Sequence, residues 1–179
     1  MLFRPSEFFR LRASRPAERR MPTLLATTAL VPSLFAEVLA SPMSDKEVGL
    51  GVQLVGAVLI GLVLSTVSFL VCIWLPLRLV ARSLARPWES GGYSLAPVAL
   101  GGLLMIIAAS VAPGLYAAGS IWLIAFFGLW QLVLLYRALL VYVPEDRARF
   151  AIGGCMLMAI LLNLVIRAMA AFPASAPSR

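Results

Sequence analysis

The chain has 179 residues, 61% hydrophobic and 13% charged, with a formal net charge of +7, two cysteines and no histidine. A soluble domain runs at about half apolar and about a quarter charged, so this composition and a mean hydropathy of +0.95 exclude one and leave an integral membrane protein. The positive charge is no nucleic-acid footprint, because the arginines flank apolar runs, where they meet lipid headgroups and set topology.

Residues 1–20 interleave Arg4, Arg10, Arg12, Arg15, Arg19 and Arg20 with Leu2, Phe3, Phe8, Phe9 and Leu11. Pro5 and Ser6 can start a helix and Pro16 ends it. A basic helix with Phe and Leu on one side is expected to lie in the interface of an anionic leaflet, the alternative being a solvated topogenic tail. Residues 21–40 form the weakest apolar run, interrupted by Pro22, Pro32 and Glu37. Charge decides that it spans. Six arginines precede it, and Arg78, Arg82 and Arg86 follow the next run, so both clusters share a side only if the chain crosses twice between them. A signal peptide cut after Val38-Leu39-Ala40 is the rival reading, disfavoured by Pro22, Glu37 and the long basic lead.

A short loop with Asp45, Lys46 and Glu47 precedes the second span, 50–76. Ala57, Gly61 and Ser65 recur there at intervals of four, a face where another helix backbone can approach closely. Residues 94–112 form the third span, with Pro97 in its first turn, where a missing N–H costs little. Gly91-Gly92 are expected to turn the preceding loop into it, and Tyr93 to anchor it at the interface. Pro113-Gly114 end it, with an uncharged loop to Gly119. Spans at 120–143 and 150–172 and a short tail complete the chain. Twelve of the fifteen Lys and Arg then share one side, which predicts an all-α integral membrane protein of five transmembrane helices, N-terminus cytoplasmic and C-terminus outside.

With that layout drawn, the chain resembles the Yip1 domain family. Arg4-Pro5-Ser6-Glu7-Phe8-Phe9-Arg10 is similar to the Pro-x-x-Phe-Phe opening of bacterial members. Gly92-Tyr93-Ser94-Leu95-Ala96-Pro97 resembles the entry to the family's third helix, and Ile121-Trp122 to Leu139 its fourth. The resemblance implies a five-span membrane domain. Eukaryotic relatives are Golgi and endoplasmic-reticulum proteins that associate with Rab GTPases through a long cytosolic region with an acidic Asp-Leu-Tyr-Gly-Pro-type motif. Here the leader is short and basic and that motif is absent, so the form is closer to bacterial members and to a bacterial inner membrane.

No phosphate loop, zinc-ligand cluster, Ser-His-Asp set or dinucleotide fingerprint occurs, so no catalytic, cofactor or metal residue is assigned. Polar groups at matching membrane depth are the remaining candidates. Glu37 and Arg167 fall near the same end of their helices, and either pair or reach the interface separately. Gln131 and Asn163 sit near mid-membrane, as glue between helices or as a path lining with Gln53. Gly92, Tyr93 and Pro97 mark a structural turn or a partner surface. Cys72 and Cys155 share a depth and are expected to be free thiols. The expected function is a non-enzymatic scaffold or adaptor whose partners are membrane lipids, other membrane proteins or further copies of itself, with no nucleic acid. A small transporter or channel is the alternative.

Overall fold

The computed structural model describes residues 4–40, 49–80 and 86–171, except the side chains of residues 80, 115 and 167–171. A leader helix, Pro5–Ala13, precedes five helices long and apolar enough to cross a membrane: Arg20–Ala40, Leu50–Leu79, Pro87–Val111, Tyr116–Leu139 and Glu145–Ile166. No strand occurs among the described residues. We number these helices as the first to fifth spans.

Prolines explain where the spans begin and bend. Pro87 and Pro113 each take the first turn of a helix, where the missing N–H has no partner to lose. The third helix therefore starts at Pro87 rather than at 94, and Gly91-Gly92 lie within it. The expected loop after Pro113 is helical, leaving Ala112 as the break between two helices. In the first span, Pro32 has no N–H for the Thr28 carbonyl, and the helix is interrupted at Ala29–Leu30. In the second, Pro76 crowds the carbonyl of Cys72, and a wider π turn at Leu70–Trp74 precedes it.

The first span is the hub, packed along the second and third. The third also packs on the fourth, and the fifth leans on the π turn and end of the second. Lipid tails are as apolar as leucine, so close backbone approach, not the hydrophobic effect, holds such helices together. The Ala57, Gly61 and Ser65 face does this: all three are buried, and a Cβ on Gly61 would meet the Val31 Cα at 2.9 Å. The Ser65 hydroxyl accepts the N–H of Leu30 at 2.9 Å, satisfying a donor at the break in the first span.

Apolar clusters close both ends. One, around Phe69, Leu77, Leu139 and Ala148, lies where the leader and most arginines gather. The other, around Ala36, Met105 and Tyr116, lies at the opposite end. Outward-facing Ile107, Phe126 and Leu157 are exposed, as the flanks of membrane helices are.

Candidate functional site

The arginine-rich end holds a polar network that joins three elements far apart in the chain. It starts from the leader. Phe9 is 1% exposed and packs with Tyr93 and Ala138, so it faces protein and not lipid. Burying such a ring is worth about 2 kcal/mol against water. Phe8 stands edge-on to Tyr93 at 5.2 Å. With the leader seated this way, Arg12 points back at the third span.

Glu89 receives it. Arg12 Nε donates to Glu89 Oε1 at 2.7 Å, and its Nη2 lies 3.2 Å from Glu18. Glu89 sits in the first turn of the third span, where the helix dipole favours a carboxylate. Arg86 donates to the Arg12 carbonyl at 2.7 Å and stands 3.6 Å from Glu89 Oε2. The hydrogen bond to Glu89 raises the Arg12 pKa further above its ordinary value. Tyr142, in the turn after the fourth span, is also held protonated beyond its usual range, chiefly by burial and next by the Glu89 charge.

Two further bonds tie the same residues to the first span and its entry. The Tyr93 hydroxyl donates to Glu18 at 2.8 Å, and Trp88 Nε1 to the Thr23 hydroxyl at 2.9 Å. Between them lies a cavity of about 490 Å³, lined by Glu18, Arg19, Thr23, Arg86, Trp88 and Glu89 among others. The Glu89 Oε2 in that lining is buried and accepts no hydrogen bond.

The structure disperses the residues singled out from sequence. Gly92 and Tyr93 belong to this network: a Cβ on Gly92 would meet the Pro22 carbonyl oxygen at 2.6 Å, so glycine there serves close packing and not a turn. Pro97 is buried in the third span just below. Glu37 lies at the far end and accepts the Tyr116 hydroxyl at 2.7 Å; the Arg167 side chain lies outside the described residues. Gln131 and Asn163 line one cleft of about 430 Å³ between spans, but no hydrogen bond joins them. Cys72 and Cys155 are free, buried, and line one cavity.

Glu89 is the network residue that sequence reasoning missed, because it falls in the stretch read as the loop before the third span. Its signal was present: a proline followed two residues later by an acid opens a helix.

Among known proteins, the family model described as the Yip1 domain matches residues 1–167. That span includes the leader with the five membrane helices. No curated protein and no solved structure matches the chain.

Proposed function

This chain belongs to the Yip1 domain family, and from that membership we propose a non-enzymatic membrane scaffold or adaptor that gathers protein partners or organises lipid at its arginine-rich end. The observation that carries this reading is the fixed leader. Arg12 is committed inward, while Arg4, Arg10, Arg15, Arg19 and Arg20 stay exposed around it. A rigid basic surface loses little entropy on binding and suits acidic protein segments and anionic headgroups alike. The excess of arginine points this end to the cytoplasm, and the similarity of Pro5-Ser6-Glu7-Phe8-Phe9 to the opening of bacterial members favours a bacterial inner membrane.

A small transporter is the second reading, favoured by the cleft that Gln131 and Asn163 share with Ser68. Purification in nanodiscs followed by native mass spectrometry separates the two. A stoichiometric protein partner that is lost when Arg12→Glu frees the leader supports the scaffold. A specific small solute, retained by the wild type and lost from Gln131→Leu, supports the transporter and overturns it.

A further inference from the structure

All five spans line the cleft of about 430 Å³ that holds Gln131 and Asn163. It lies at mid-membrane depth: Leu30 stands at the middle of Arg20–Ala40, and Ser65 and Ser68 at the middle of Leu50–Leu79. Three spans depart from regular α-helix at its walls. The first does so at its Ala29–Leu30 break, the second in the π turn that supplies Cys72 and Ile73, and the third at Leu95, between Pro87–Ser94 and Ala96–Val111. Irregular backbone at membrane depth is tolerated where it is buried in protein or lines a cavity, and π turns and broken helices gather at ligand sites.

The lining sets the chemistry. Ser68, Gln131 and Asn163 come to the cleft from three different spans, and among the described residues none of these side chains makes a hydrogen bond. Each carries at least one donor, and a polar group left unpaired in hydrocarbon is costly. No Asp, Glu, Lys or Arg lines the cleft among the described residues, so a charged ligand would find no counter-charge. Ile124 of the fourth span and Ile166 of the fifth flank it and are 55% and 47% exposed, so its mouth opens on lipid. We propose that the cleft binds an uncharged membrane lipid by a compact head of carbonyl oxygens, with the chain leaving between the fourth and fifth spans. The carbonyls accept from the Gln131 and Asn163 amides, and the volume is in the range of small-ligand sites. A phospholipid fits badly, because its phosphate is charged and stays at the interface. The ring carbonyls of a quinone and the ester carbonyls of a diacylglycerol share the required chemistry.

This inference rests on the second reading's cleft and names a lipid in place of a water-borne solute, with no need for the ligand to cross the membrane. The test uses the full chain in detergent micelles and native mass spectrometry. The ligands are decylubiquinone, dioctanoylglycerol, the hydrocarbon squalane and dioctanoyl phosphatidylglycerol. At least one of the first two is expected to bind about tenfold more tightly than squalane or the phospholipid, and which one does so identifies ring or ester carbonyls as the source. Gln131→Leu and Asn163→Leu should each weaken that binding about fivefold. Ala159→Phe, which fills the cleft from an exposed position, should abolish it. Because the two amides have no partner in the protein, neither leucine variant should lower the unfolding temperature of the lipid-free chain. Equal binding or no binding of the four ligands, or binding unchanged in all three variants, overturns the site. A lower lipid-free unfolding temperature in both leucine variants would make the amides glue between helices and overturn it too. A water-borne solute retained by the wild type and lost from Gln131→Leu, with neither carbonyl lipid bound, overturns the lipid site and leaves the transporter reading standing. A carbonyl lipid bound as expected, with no solute flux into vesicles of the reconstituted protein, supports the site and sinks the transporter reading alone.

Discussion

The guanidinium of Arg12 lies 2.7 Å from the carboxylate of Glu89, a residue 77 positions later in the chain. The side chains are 14% and 4% exposed. A pair so withdrawn from water does not stabilise by attraction alone, because both charges were desolvated to form it. What it does is make the leader conditional on the third span: either partner left alone loses its hydrogen-bonded counter-charge and keeps a more distant one, Glu18 at 3.2 Å for Arg12 or Arg86 at 3.6 Å for Glu89.

Removing one partner is therefore expected to cost more than removing both. Arg12→Leu or Glu89→Leu should each lower stability by about 3 kcal/mol, whereas the double variant should recover most of that loss. Thermal unfolding in detergent reads the difference. Additive single effects would show that the two residues are not coupled.

Gly92 and Gly114 make a matched contrast. A methyl on Gly92 would sit 2.6 Å from the Pro22 carbonyl oxygen, while one on Gly114 meets nothing within 4 Å. Gly92→Ala should cost about 2 kcal/mol through forced separation of the first and third spans. Gly114→Ala should be neutral or slightly stabilising. Equal effects of the two would contradict the close approach.

Ser65 completes the hydrogen bonding of a broken helix from outside it. Ser65→Ala leaves the Leu30 N–H without its partner and should cost about 1 kcal/mol. Ser110, whose hydroxyl bonds only a carbonyl of its own helix and is exposed, should tolerate alanine. The same melting experiment distinguishes them.

Cys72 and Cys155 are buried between spans with no disulfide. A membrane-permeant maleimide should leave both unmodified in the folded protein and label both after denaturation. Fast labelling of the folded protein at either site would mean that the second and fifth spans part readily.

Five spans were legible because an apolar run of about 20 residues has few other uses, and arginine placement rescued the weak first run. Helix starts were less legible. Pro113 reads as loop punctuation and Pro87 falls in the stretch read as a loop, yet each opens a helix, since proline suits the first turn as well as it suits a break. The site was mostly hidden. Arg12 and Glu89 are separated by two membrane crossings, and nothing local in either segment names the other. Polar residues at matching depth were a weaker guide: Gln131 and Asn163 share a cleft without touching, while Glu37 pairs with Tyr116, whose hydroxyl had not been weighed as a donor.

The scaffold and the coupling of Arg12 to Glu89 both require that the leader be a fixed part of the bundle. Spin labels on exposed Leu11 and Asp146, with the distance between them measured in lipid nanodiscs, test this directly. A single narrow distance distribution that broadens in Arg12→Leu is the expected result. A broad distribution in the unaltered protein, unchanged by that substitution, would show a leader free of the bundle and contradict the account.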